Sequence, residues 1–155
     1  MFPYKPPQQL RALFIIHYAP LLLIILLGPL TAMYNVFHLP TNQLFTILLG
    51  IIIFFIGSYI YLKWEIFWEK NFKGQLVTHG PFNQIRNPHY TSLLIIGFGL
   101  ALFFYSQLSL FVAVIAIPIM IASIIDEEKH LEKQYGEKFN EYKKKVPWRL
   151  LPKIF

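Results

Sequence analysis

The chain has 155 residues, of which 55% are hydrophobic and 17% aromatic, and its mean hydropathy is +0.48. That is too apolar for a water-soluble core of this length, and it places the chain in lipid as one membrane domain over residues 1–155. A net charge of +6 suits the anionic inner leaflet of a membrane rather than nucleic acid, which is not expected as a partner; the absence of cysteine excludes disulfides, thiolate catalysis and cysteine-based metal sites.

Along the chain, Lys5 and Arg11 precede a long apolar run with no small-residue cleavage pattern near Leu30-Thr31-Ala32, which reads as an uncleaved anchor. Residues 12–62 contain no Asp, Glu, Lys or Arg, and a bilayer-spanning helix needs only about 20 apolar residues. This block therefore divides into two spans, near 11–30 and 43–62, at 31–42, where Asn35, His38, Pro40 and Asn42 interrupt it. Segment 63–72 then places Trp64, Phe67 and Trp68 at helical spacing beside Lys63, Glu65, Glu69 and Lys70, and is expected at the membrane surface with its tryptophans as headgroup anchors.

A loop over 74–92 follows. Lys73-Gly74, Gly80-Pro81 and Asn87-Pro88 punctuate it, so HGPFNQIRNPHYTS (79–92) is expected as irregular backbone, tolerable at membrane depth only where protein or water satisfies its amides. Residues 87–125 are again free of Asp, Glu, Lys and Arg, and divide at Tyr105-Ser106-Gln107-Leu108-Ser109 into spans over 93–105 and 109–125. The first of these is only about 20 Å long at 1.5 Å per residue, short of a hydrocarbon core of about 30 Å, so the pair is expected as a short hairpin. Over 126–155 a helical tail is expected, with Glu128, Leu131 and Tyr135 on one face, a stop at Gly136, a second short helix carrying Phe139, Tyr142 and Val146, and a fold back over the loop. Pro20 and Pro118 read as helix kinks.

The expected fold is thus all-α and integral to the membrane, with about four transmembrane helices and a cytoplasmic C-terminal tail. With four spans, all 14 basic and all eight acidic residues fall on one face, so both termini are expected to be cytoplasmic and polar chemistry to be confined to that side.

The residues that carry chemistry are Leu76-Val77-Thr78-His79-Gly80-Pro81-Phe82, then Arg86-Asn87-Pro88-His89-Tyr90, Gly97 and Gly99, Glu127-Glu128, and the run from Tyr135 and Gly136 to Pro147 and Pro152. In this order, over about 74–152, they resemble the isoprenylcysteine carboxyl methyltransferase family and the related phospholipid N-methyltransferases. The resemblance implies a membrane-embedded enzyme that uses S-adenosylmethionine and methylates a small lipophilic or lipid acceptor. Its cofactor-binding set falls here on Val77, Gly80, Pro81, Arg86, Asn87, Pro88, Tyr90, Gly97, Gly99, Glu127 and Glu128, with no metal, and positioning of the reactants falls to Arg86, Tyr90 and Glu128.

These residue types suit that cofactor, a zwitterion with an added sulfonium charge. Arg86 can fork onto a carboxylate, Glu127 and Glu128 can take an ammonium or ribose hydroxyls, Tyr90 and Asn87 add hydrogen bonds, and Gly80 permits close backbone approach near adenine. Methyl transfer is a direct displacement without a protein nucleophile, so alignment in a dry site does the work. Gly97 and Gly99 equally suit helix packing. His79 and His89 read as loop residues rather than metal ligands, His17 and His38 as distant from the site, and His130 as exposed.

Three departures from the family pattern stand out. Asn87 replaces the usual histidine, Ser92 replaces a glycine, and Ser123-Ile124-Ile125 lacks the arginine that eukaryotic members carry before the glutamates, which argues against a prenylcysteine carboxylate as acceptor. The alternatives are an NADPH-dependent membrane reductase of the sterol reductase type, disfavoured by the shortage of cations for a second phosphate-bearing half, and a non-catalytic membrane subunit of the same fold. Nothing in the first two spans names the acceptor's head group.

Overall fold

A computed structural model describes residues 10–154, with side chains described from His17 onward; the basic start at Lys5 lies outside the described residues. Among the described residues the structure is all-helical: α1 (Leu10–Met33), α2 (Gln43–Asn71), a 3-10 turn (Gly80–Asn83), α3 (Pro88–Phe103), α4 (Gln107–Tyr135) and α5 (Glu137–Lys145).

The polar breaks in the sequence become turns for local reasons. Asn42 caps α2 by accepting a hydrogen bond from the Phe45 amide at 3.0 Å, and Ser106 caps α4 by accepting one from the Ser109 amide at 3.1 Å. These two turns are laced together at one end of the bundle, where Gln107 donates to the His38 carbonyl and Tyr105 to the Thr41 carbonyl, each at 2.5 Å. At the opposite end Gly136, at φ +55°, breaks α4 from α5.

Helices α2 and α4 are long and apolar enough to cross a membrane. Their apolar windows are only 17% and 33% buried inside the protein, so most of this surface faces outward. On α2 the outward face carries Leu44, Phe45, Leu48, Ile52, Phe55, Ile56 and Tyr59. In water such a face would cost roughly 25 cal/mol per Å² of apolar area.

The centre of the bundle is α3, which buries Tyr90, Thr91, Ser92, Leu93, Ile96, Gly97, Gly99 and Ala101. Close approach to α2 is made by glycine on both sides. A Cβ on Gly50 would come within 2.4 Å of the Phe103 amide nitrogen, and one on Gly99 within 2.5 Å of the Phe54 nitrogen. Helix α1 covers another flank, with Ile24 packed among Ala101 and Ala113.

Two expectations change. The surface segment 63–72 is a direct continuation of α2 through Asn71, and Trp64 is 5% exposed rather than a headgroup anchor. The irregular stretch 79–92 is also shorter than expected, because Gly80–Asn83 forms a 3-10 turn and Pro88, whose fixed φ suits a first helical turn, starts α3. Asn87, at φ −128° and ψ 62°, stays outside helical geometry, as its place before proline requires.

The tail folds back over the loop. Arg86 and Asn87 donate their backbone N–H groups to the carbonyls of Trp148 and Arg149 at 2.8 and 3.0 Å, and Thr91 donates its hydroxyl to the Leu150 carbonyl at 2.8 Å. Beneath them Phe139, Tyr142 and Val146 form a buried cluster that Leu76, Phe82, Leu131 and Tyr135 complete.

Candidate functional site

The tail end of the bundle gathers the polar residues of three sequence-distant elements. Arg86, 8% exposed, precedes α3; its Nε donates to Glu128 Oε1 at 2.8 Å and its Nη1 to the Val146 carbonyl at 2.6 Å. The other oxygen of Glu128 accepts from Arg149 Nε at 3.0 Å, so a single buried carboxylate is shared by two guanidiniums. Such a buried arrangement holds because each charged group is hydrogen-bonded to one of opposite sign.

One residue earlier on α4, Glu127 takes a different partner. Its Oε2 accepts from the Tyr90 hydroxyl at 2.9 Å, and that hydroxyl lies 3.3 Å from Ser123 Oγ. Tyr90 is 3% exposed and sits on the first turn of α3. Consecutive helical residues point about 100° apart, which is why Glu128 faces the tail while Glu127 faces α3.

The tail is pinned there by Tyr142, whose hydroxyl donates to the Phe82 carbonyl at 2.8 Å. Burial pushes the Tyr142 phenol well above its usual range, so it remains a donor.

Other sequence candidates fall nearby or elsewhere. Val77 is buried, and Gly80 adopts φ +64° with its Cα against the Phe67 ring, so a side chain there would be both strained and obstructed. Pro81 lies in the 3-10 turn, Asn87 reaches the Arg149 carbonyl at 3.4 Å through its amide, and Pro88 opens α3. Gly97 and Gly99 are not brought to this cluster. Gly99 lies nine residues along α3 from Tyr90, about 13 Å by helical rise, and serves the contact with α2.

Ser92, which stands where the family pattern has glycine, is fully buried and donates to the His89 carbonyl at 2.6 Å, so its hydroxyl is satisfied within the helix. His130 is half-exposed and bonds the Asp126 carbonyl.

Two residues of the cluster are missed by the sequence reading: Arg149, which shares Glu128, and His17. His17, expected far from the site, is 1% exposed and its Nε2 is hydrogen-bonded to the Tyr90 hydroxyl. An ionisable side chain inside an apolar span is itself a functional signal, and that signal was available in the sequence. At the far end of the bundle His38 does lie apart. There a recess of about 560 Å³ is lined by Pro29, Asn35, His38, Phe104 and Tyr105 and contains none of the candidates.

The fold and the cluster are those of a helical protein that carries buried, paired charge at one end of an apolar bundle. The chain belongs to the phospholipid methyltransferase family, whose model matches residues 42–138, more than half its length. That range begins at the cap of α2 and ends in α5, and so takes in Arg86, Tyr90 and both glutamates. Comparison with curated proteins gives no match.

Proposed function

We propose that the chain is a membrane-embedded methyltransferase that moves a methyl group from S-adenosylmethionine to a small lipophilic acceptor partitioned in the bilayer. The observation that carries this reading is the convergence of Arg86, Tyr90, Glu127 and Glu128, from two helices and a loop, beneath a tail anchored by residues 142–150.

The donor set fits the cofactor. Of Arg86's nitrogens, Nε and Nη1 are used within the protein, and no hydrogen bond occupies Nη2 among the described residues, which leaves one arm for a carboxylate. Glu128, held between two arginines, fixes the orientation of Arg86. Glu127 is bound by a neutral hydroxyl rather than a guanidinium, which leaves its carboxyl group for an ammonium or for ribose hydroxyls. Val77, Gly80 and Pro81 offer backbone beside an apolar wall for adenine.

S-adenosylmethionine supplies, when bound, an electrophilic methyl group whose transfer needs no protein nucleophile. The residues of the chain contribute alignment and exclusion of water, and effective molarities for well-oriented reactants reach roughly 10⁵–10⁸ M. The domain is read as four spans with both termini cytoplasmic. The donor enters from that side under the tail and the acceptor sideways from the lipid. Two of the spans, α2 and α4, have the length and apolarity this needs.

The experiment is incubation of the protein in lipid with methyl-labelled S-adenosylmethionine and a host lipid extract, with parallel titrations of S-adenosylhomocysteine and NADPH. A labelled lipid and a response to S-adenosylhomocysteine are expected. A response to NADPH alone would replace this reading with a reductase.

A further inference from the structure

Helix α1 lies ahead of the matched family segment, which begins at residue 42, yet it reaches the polar cluster through one side chain. His17, Ile24 and Thr31 recur at intervals of two helical turns, and all three are buried. Ile24 packs among Ala101 and Ala113, while Tyr18 and Leu21 pack against the core cluster of Tyr90, Leu93, Met120 and Ile124. This apolar docking leaves His17 only 1% exposed, its ring centroid 4.5 Å from that of Tyr90 and 5.5 Å from that of His89, both edge-on. Its Nε2 is hydrogen-bonded to the Tyr90 hydroxyl, which in turn donates to Glu127 Oε2 at 2.9 Å.

We propose that His17 is a positioning residue of the donor site: its Nε2–H donates to the Tyr90 oxygen and so commits the single Tyr90 proton to Glu127. The proposal rests on the methyltransferase reading above.

A count of protons sets the direction of the chain. Inside an apolar bundle a charged imidazole is costly, so the ring acts in its neutral form, with one N–H and one bare nitrogen. A phenol has one proton and two lone pairs. With its proton given to Glu127, the Tyr90 oxygen can only accept from its other two neighbours, His17 Nε2 and Ser123 Oγ at 3.3 Å. His17 therefore carries its proton on Nε2, and Ser123 donates as well.

The consequence reaches the carboxyl group. A hydroxyl that accepts hydrogen bonds is a stronger donor. A hydrogen bond donated to a carboxylate favours its charged form against the cost of burial. Without His17 the Tyr90 hydroxyl is free to turn its proton to Ser123, and Glu127 loses its donor. His17 thus holds Glu127 as the acceptor for the ammonium or ribose of S-adenosylmethionine, and does so through Tyr90 rather than by touching the donor.

The test uses the full chain in lipid nanodiscs with S-adenosylhomocysteine as the probe. His17→Phe keeps a flat ring in the α1 contact but removes the donor, and should weaken binding about 10-fold, as for loss of one buried hydrogen bond. His17→Gln keeps a side-chain N–H and should stay within about 3-fold of the parent. In a Tyr90→Phe background, His17→Phe should change affinity by less than about 2-fold, because the hydroxyl that transmits its effect is gone. The tautomer is read on the parent protein, and so does not depend on the Phe variant folding. With S-adenosylhomocysteine bound, nitrogen NMR of isotope-labelled histidines, assigned by the signals lost in His17→Gln, should show Nε2 of His17 as the protonated nitrogen.

Parental affinity in His17→Phe, or an equal loss from that substitution in the Tyr90→Phe background, overturns the positioning role while the methyltransferase reading stands. So does a His17→Gln variant as weak as His17→Phe, or a His17 proton found on Nδ1. Failure of the parent protein to bind S-adenosylhomocysteine removes the methyltransferase reading, and the positioning role with it.

Discussion

Replacing Glu128 by glutamine keeps the shape of the side chain but removes the charge from between two guanidiniums. The Arg86–Glu128 contact is 2.8 Å long between side chains only 6% and 9% exposed. Neutralising one member of such a pair leaves the other charge buried and uncompensated, at about 3–5 kcal/mol. Glutamine can still accept one hydrogen bond, so the lower end, about 3 kcal/mol, is expected. The Arg149–Glu128 contact is nearly as short at 3.0 Å, but Arg149 is 33% exposed. Screening by solvent limits its share to about 0–1 kcal/mol.

For a chain of this size 1 kcal/mol moves the melting temperature by about 2–4 °C, so Glu128→Gln should lower Tm by about 6–12 °C and Arg149→Gln by no more than about 4 °C. The assay is thermal unfolding followed by near-UV circular dichroism at fixed detergent and without ligand. In the double variant Arg86→Gln with Glu128→Gln, the loss should fall short of the sum by about 1–3 kcal/mol, because the two groups share one interaction. A Tm for Glu128→Gln within 2 °C of the parent would refute the argument that a buried charge pair holds loop and tail together. So would a larger loss from Arg149→Gln than from Arg86→Gln.

Other outcomes follow from the packing. Gly99→Ala places a Cβ 2.5 Å from the Phe54 nitrogen. It should cost about 1–3 kcal/mol by separating α2 from α3, read in the same melting assay. Tyr142→Phe removes the donor to the Phe82 carbonyl, and a loss of about 1 kcal/mol of tail docking should speed tryptic cleavage after Lys73 about 5-fold. The chain lacks cysteine, so Asn35→Cys and Lys153→Cys report topology without background. With four spans an impermeant maleimide should label them from opposite sides of sealed vesicles, and labelling from the same side would contradict that count.

Much of the helix layout was legible because polar residues interrupt hydrocarbon at the turns. Asn35, His38 and Asn42 fall between α1 and α2, Ser106 caps α4, and Gly136 separates α4 from α5. The contacts of the tail were legible in outline too, since Leu131, Tyr135, Phe139 and Tyr142 recur at helical spacing in an otherwise charged segment. Within the apolar helices the same reasoning fails. When the outer face is as hydrophobic as the inner one, periodicity carries no contrast, so nothing marks Trp64 as buried while Tyr59 is exposed.

The polar cluster was legible as a set of residue types but not as a set of partners. Arg86 and Glu128 stand out as charges, yet their mutual pairing and the addition of Arg149 depend on how the tail crosses the loop. His17 was passed over because its partner, Tyr90, is 73 residues away and belongs to another helix. The stacking of Trp64 on His89 exists only once α2 runs past residue 63 and carries the indole against α3.

The most direct measurement is an experimental structure of the protein in lipid with S-adenosylhomocysteine bound. The account predicts the ligand's carboxylate against Arg86 and its ammonium or ribose against Glu127. Ligand seated instead in the recess beside His38 and Tyr105, or a complete absence of binding with the Arg86–Glu128 pair intact, would contradict it.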